Sequence, residues 1–174
     1  MQKQIIVMGD IEIGGGTLTD DFISDDTLSQ TIRSIAKRQH PIDLVLNGDT
    51  FDFLKCPLIK DGTKTYPRHI TDDISLSKLE MMYNAHRPVF NALRQFCTHK
   101  KNRLFFIIGN HDHDLFFKSV QRKLKKILGR HRDIFFRLQY RYHRVYAEHG
   151  HQYDFLNKIN PRNVFIHYEG KKIL

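Results

Sequence analysis

Apolar residues along this chain occur in short unbroken runs and in longer stretches spaced three and four apart. Ile5-Ile6-Val7-Met8 is a continuous apolar run closing at Gly9-Asp10, the pattern of a strand covered on both faces. Leu28, Ile32, Ile35 and Ala36 recur at helical spacing between Asp25 and Gln39, with Ser24 or Asp25 in position to cap that helix. After Pro41, Ile42 to Leu46 form a second buried strand ending in Asn47-Gly48-Asp49. A polar stretch from Lys60 to Asp73 precedes a long helix with Leu76, Leu79, Tyr83, Val89, Phe90, Leu93 and Cys97 on its apolar face, kinked before Pro88. Leu104 to Ile108 make a third strand, ending in Gly109-Asn110-His111-Asp112. Leu115 to Leu128 read as a helix stopped by Gly129. Asp133 to Leu138 and Tyr142 to Ala147 read as two further strands, the second running into Glu148-His149-Gly150-His151. Val164-Phe165-Ile166 is a last short apolar run. Strands alternating with helices call for right-handed crossovers and a mostly parallel inner sheet, so the class is α/β.

Composition narrows the field. The chain has 174 residues, 40% hydrophobic and 27% charged, a globular balance with length for one sizeable core. No apolar stretch approaches the ~18 residues of a membrane span. The N-terminus turns polar and acidic after one short apolar run, unlike a signal peptide. Two cysteines, Cys56 and Cys97, are too few for a disulfide framework, which fits a reducing cytoplasm. The net charge of +9 favours phosphate-bearing or polyanionic partners.

Four of the expected strands stop in a cluster of Gly with Asp, Asn or His. In an open α/β sheet the carboxyl ends of the strands share one edge, where ligands bind. Asp10, Asp49, Asn110 and His149 are therefore expected to converge, although each alone equally reads as a turn former, a cap or a surface side chain. Carboxylate, amide oxygen and imidazole together suit a divalent transition ion such as Mn, Fe or Zn.

Gly9-Asp10-Ile11-Glu12, Gly48-Asp49-Thr50-Phe51-Asp52, Gly109-Asn110-His111-Asp112 and His149-Gly150-His151 resemble successive motifs of the calcineurin-like metallophosphoesterases. Their spacing is similar to the branch containing the UDP-diacylglucosamine hydrolases. The resemblance implies an α/β sandwich with a dinuclear metal centre, hydrolysing a phosphoester or pyrophosphate bond with a water activated by two divalent ions. It implies Asp10 on the first metal, Asp49 bridging both, and Asn110 and His149 on the second. It makes His111 the catalytic imidazole, with Asp112 orienting it and favouring its protonated form.

Two departures qualify the resemblance. Glu12 stands where the family's first motif usually carries histidine; it reads either as a ligand favouring harder ions such as Mn or as a solvated turn carboxylate. The family's last motif, Gly-His-x-His, has no counterpart after His151, and His167 sits in a strand-like run. The expectation is thus one metallophosphoesterase domain over residues 1–174, C-terminally incomplete. The alternative function is a weak or inactive fragment that binds metal or polyanions such as nucleic acid.

Positive charge concentrates between Lys118 and Arg144, at Lys118, Arg122, Lys123, Lys125, Lys126, Arg130, Arg132, Arg137, Arg141 and Arg144. This segment reads either as a solvated face with long stems lying on apolar neighbours or as a surface for nucleic acid or an anionic membrane.

Overall fold

The structure, a computed structural model, describes residues 3–129 and 132–174. Strand β1 (Gln4–Met8) leads into helix α1 (Asp25–Ala36), and β2 (Ile42–Asn47) follows Pro41. A small antiparallel hairpin, β3 (Leu58–Lys60) with β4 (Thr63–Thr65), precedes α2 (Asp72–Ala85) and α3 (Arg87–Thr98). Then come β5 (Arg103–Ile107), a 3-10 turn at His113–Phe116, α4 (Lys118–Leu128) and β6 (Ile134–Arg137). Two antiparallel hairpins close the series: β7 (Gln139–Tyr142) with β8 (Val145–Glu148), and β9 (Ile166–Tyr168) with β10 (Lys171–Ile173).

β1, β2, β5 and β6 form one sheet in that spatial order, every neighbouring pair parallel. A strand order that advances in one direction through right-handed crossovers puts its connecting helices on one face. Burial alternates accordingly. Leu44, Leu46, Leu104, Phe106 and Ile134 pack with α1, α3 and α4, whereas Val45, Phe105 and Ile107 pack onto Tyr140, Tyr142 and Val145 of the β7–β8 hairpin. The layers are therefore helices, parallel sheet and hairpin, which is the α/β arrangement expected from the sequence.

The helix layer is aromatic at its centre. Phe51 is fully buried and stacks on Phe90 and Phe106 at ring distances of 5.9 and 5.8 Å. It follows Asp49 by two residues, so the loop after β2 is anchored in the core just where it leaves the sheet. On the opposite face, buried Asp43 of β2 accepts hydrogen bonds from Arg103 Nε at 2.8 Å and from Arg103 Nη2. The hydroxyl of Tyr140 in β7 also donates to it, at 2.7 Å. Burial pulls the Asp43 carboxyl up, but the Arg103 and Tyr140 hydrogen bonds outweigh it and hold the group below the usual carboxylate range.

Three elements differ from the sequence reading. The long helix expected across Pro88 is two helices, broken at His86 (φ −114°, ψ 36°), with Pro88 in the first turn of α3. There the missing N–H costs nothing, whereas mid-helix it would remove a bond and clash with the preceding turn. The helix expected from Leu115 starts at Lys118, because Phe117 is extended (φ −67°, ψ 124°) after the 3-10 turn. Gly129 does end it, in the left-handed conformation at φ 73°. The strand expected over Tyr142 to Ala147 is interrupted by the β7–β8 turn, where His143 adopts φ 49°.

The basic segment is spread over several surfaces. Lys123 pairs with Glu80 at 2.6 Å. Lys125 and Arg137 lie over the rings of Phe136 and Phe135, each 5.9 Å from the centroid. Arg130 lies outside the described residues. Among the described residues, no helix is long and apolar enough to cross a membrane.

Candidate metal centre

The loops after β1, β2 and β5 are knitted together by backbone bonds at the carboxyl edge of the sheet, Phe53 N donating to His111 O at 3.1 Å. Glu12 N donates to Asp49 O at 2.8 Å, Ile13 N to Thr50 O at 3.0 Å, and Asp10 N to Gly48 O at 3.3 Å. The β8 end is tied in by Asn47 Nδ2, which donates to Glu148 O at 3.0 Å.

This knitting holds the backbone in costly conformations. Asp10, Glu12 and Asp49 all have positive φ, at 51°, 55° and 46°, a left-handed region worth roughly 1–2 kcal/mol per non-glycine residue. Among the described residues the other positive-φ non-glycine residues, Asp61, His143 and Glu169, lie in hairpin turns. Strain gathered on three neighbouring acidic residues is the signature of a functional site, because it persists only where surrounding contacts over-determine it.

Two glycines make the close approach feasible. A Cβ on Gly109 would lie 2.1 Å from Asp49 Oδ1, and one on Gly48 would lie 2.3 Å from the His149 ring. Only a residue without a side chain fits at either place.

The side chains that meet here form two overlapping groups. Asp10, Asp49 and His149 can each offer a ligand atom within 4.8 Å of the others, and so can Glu12, Asp49 and His111. Asp49 belongs to both. Asn110 Oδ1 lies 3.0 Å from His149 Nε2, which adds an amide oxygen to the first group. His149 Nε2 also lies 3.1 Å from Asp49 Oδ2, and its Nδ1 3.2 Å from Asn47 O. The bond to Asp49 raises the His149 imidazole to about 8 against the opposing effect of burial. In the Asp49 carboxyl, burial is outweighed by the His149 hydrogen bond and the His111 backbone N–H, so that group is lowered.

His111 and Asp112 are placed differently from one another. His111 Nδ1 lies 3.1 Å from Asp52 Oδ1, so Asp52, not the expected Asp112, orients this imidazole. Asp112 is fully buried and turned inward, accepting from Gly109 N at 2.6 Å and Thr50 N at 2.9 Å. Burial pushes its carboxyl up to about 7. It shapes the loops that carry Asp49 and Asn110.

Sequence reading missed more than Asp52. Lys55 Nζ approaches Asp21 Oδ2 at 2.9 Å, Glu12 Oε2 at 3.1 Å and Asp52 Oδ2 at 3.2 Å. The first two of these carboxylates, helped by Asp52, raise the Lys55 ammonium well above the usual lysine range. His151 lies behind His149, ring centroids 5.3 Å apart, and His113 is 5.9 Å beyond it. Burial lowers both imidazoles, His113 to about 4. His113 Nε2 and His151 Nδ1 are buried without a hydrogen-bond partner. An Asp-x-x-Asp spacing at 49 and 52 was the available signal for Asp52; nothing in the local pattern marked Lys55.

Carboxylates, an amide oxygen and imidazoles gathered at one strand edge fit a divalent cation, and the match to known families follows the same line. The family model of calcineurin-like phosphoesterases matches residues 3–173. The chain belongs to the calcineurin-like phosphoesterases. No match to it is found among curated proteins or solved structures. Calcineurin-like phosphoesterases are phosphoester hydrolases that typically bind divalent metals, and this family member's centre lies where the α/β topology puts a ligand site.

Proposed function

We propose that this calcineurin-like phosphoesterase hydrolyses a phosphoester or pyrophosphate bond with water at a pair of divalent ions, Mn, Fe or Zn. The observation that carries the reading is the convergence of Asp10, Asp49, Asn110 and His149 on one side, with Glu12 and His111 meeting the same Asp49 on the other. When bound, such ions supply Lewis acidity toward phosphoryl oxygens and make water more acidic.

The chain's own residues do the rest. Asp49 is the carboxylate shared by both groups, and the glycine-dependent loops keep it between them. Asp52 fixes the tautomer of His111, leaving Nε2 free to stabilise phosphoryl charge or protonate the leaving oxygen. Asp112 acts as a positioning residue through the amides of Gly109 and Thr50. A phosphate-bearing substrate also suits the net charge of +9.

Hydrolysis of bis-p-nitrophenyl phosphate with added Mn tests the reading, comparing the natural chain with His111→Ala and Asp49→Asn. Metal-dependent turnover that falls roughly 100-fold or more in both variants is the expected result. Turnover that ignores metal, or survives both changes, overturns it. Mn binding without turnover leaves the alternative of a metal-binding chain with little or no activity.

A further inference from the structure

The two halves of the centre differ in what already neutralises them. On the Asp10 side the acids face His149, which in turn meets Asn110 Oδ1. On the Glu12 side an ammonium reaches in: Lys55 Nζ contacts Glu12 Oε2, Asp21 Oδ2 and Asp52 Oδ2, all within 3.2 Å.

The backbone that carries this ammonium is held on both sides. Lys55 N donates to Asp52 Oδ1 at 3.0 Å, and Thr19 Oγ1 donates to Lys55 O at 2.7 Å. Glu12 is fixed too, by its bond to Asp49 O and its positive φ of 55°. Glu12 therefore presents one carboxylate oxygen to Lys55. A divalent ion held by Glu12 and Asp49, beside His111, would lie close to that like charge, and the ammonium also draws on Asp52, the partner of His111. Like charges a few ångströms apart disfavour each other, more strongly in a partly buried site than in water.

We infer that Lys55 is an internal cation of the Glu12 half, so that the two halves take up divalent ions unequally and in order. The Asp10–Asp49–Asn110–His149 half loads first. The Glu12 half loads weakly, against Lys55 or after the lysine side chain has left Glu12. This inference rests on the divalent-ion reading of the centre and adds to it a source of asymmetry. It also makes chemical sense of Glu12: a carboxylate neutralises an ammonium, whereas a neutral imidazole at that position could accept its hydrogen bond but not balance its charge.

Calorimetric titration with Mn, in the absence of substrate, tests it on the natural chain, Lys55→Met and Lys55→Arg. The expected isotherm of the natural chain has a tight class and a second class at least tenfold weaker or undetected. Lys55→Met should strengthen or reveal the second class by tenfold or more and leave the first unchanged, while Lys55→Arg keeps the natural pattern. Thermal unfolding with and without Mn gives a second readout, because an ion bound only to the folded state raises Tm. Mn should raise the Tm of Lys55→Met further than that of the natural chain. Superimposable isotherms for the natural chain and Lys55→Met overturn the inference while leaving the divalent-ion reading in place. A weaker second class in Lys55→Met overturns it as well. Absence of Mn binding in every variant overturns both readings together.

Discussion

Replacing Gly48 with alanine should injure the centre far more than the fold. Gly48 sits at φ 82°, and a Cβ there would stand 2.3 Å from both Cγ and Nδ1 of His149. Ordinary contacts begin near 3.4 Å, so the imidazole must withdraw by roughly 1 Å, given hard-core packing. That movement breaks the bond of His149 Nε2 to Asp49 Oδ2, now 3.1 Å, and its approach to Asn110 Oδ1, now 3.0 Å. Gly62 supplies the control, because it also has positive φ, 76°, but a Cβ there meets nothing within 4 Å. Both variants bear the left-handed cost of about 1–2 kcal/mol. Only Gly48→Ala adds the loss of a charged hydrogen bond, about 1.5–3 kcal/mol. Urea unfolding should therefore separate the two by roughly that second amount. Mn calorimetry should show natural affinity in Gly62→Ala and at least a tenfold loss in Gly48→Ala. Equal destabilisation of the two variants, together with unchanged Mn affinity in Gly48→Ala, would refute the geometry assigned to His149.

Other perturbations test the scaffold. Asp43→Asn breaks the pairing of a buried carboxylate with half-exposed Arg103 and should cost about 1.5–3 kcal/mol at neutral pH. Because the folded Asp43 carboxyl lies below its ordinary value, its stabilisation is complete above about pH 4 and fades as pH falls through the folded value. Denaturation measured across that range should show the natural chain and Asp43→Asn drawing together on acidification. Phe51→Ala empties the middle of the aromatic stack and should cost about 3–5 kcal/mol by urea unfolding. It should also weaken Mn binding, since it frees the loop bearing Asp49. Arg94 caps α4 from α3, its Nε and Nη2 donating to Ile127 O at 2.9 and 2.7 Å. Thermal unfolding of Arg94→Ala should register a loss of about 1–2 kcal/mol.

The parts of the fold readable in sequence were those in which local pattern and tertiary demand agree. Leu44 to Leu46 and Leu104 to Ile108 are apolar throughout because both sheet faces are covered there, and each run closes on a loop with a glycine where the chain must turn tightly. Asp43 breaks the pattern in β2, and β1 lies at the sheet edge with Val7 exposed, so neither was fully described by an unbroken apolar run. Gly129 stops α4 for a purely local reason. The β7–β8 turn gave no such sign. His143 takes the left-handed conformation without Gly, Asn or Asp, so the segment looked like one unbroken strand. In the centre, strand ends indicated which carboxylates and imidazoles would share an edge, but not how their side chains would pair. Asp112 is adjacent to His111 in sequence, yet its carboxylate turns inward to two amides while Asp52 reaches the ring from another loop. Lys55 was invisible for a similar reason, since its three partners come from separate stretches of chain.

His149 arrives by a different route from its companions. The other residues of the centre follow strands of the parallel sheet, whereas His149 follows β8, in a two-stranded ribbon laid across that sheet. Tyr140 to Asp43 and Asn47 to Glu148 are the polar links that fasten the ribbon down. Lifting these few residues would carry away an imidazole and at the same time uncover Val45, Phe105 and Ile107 on the sheet face beneath. Capture of an ion by His149 and Asp49 together would close a bridge between ribbon and platform.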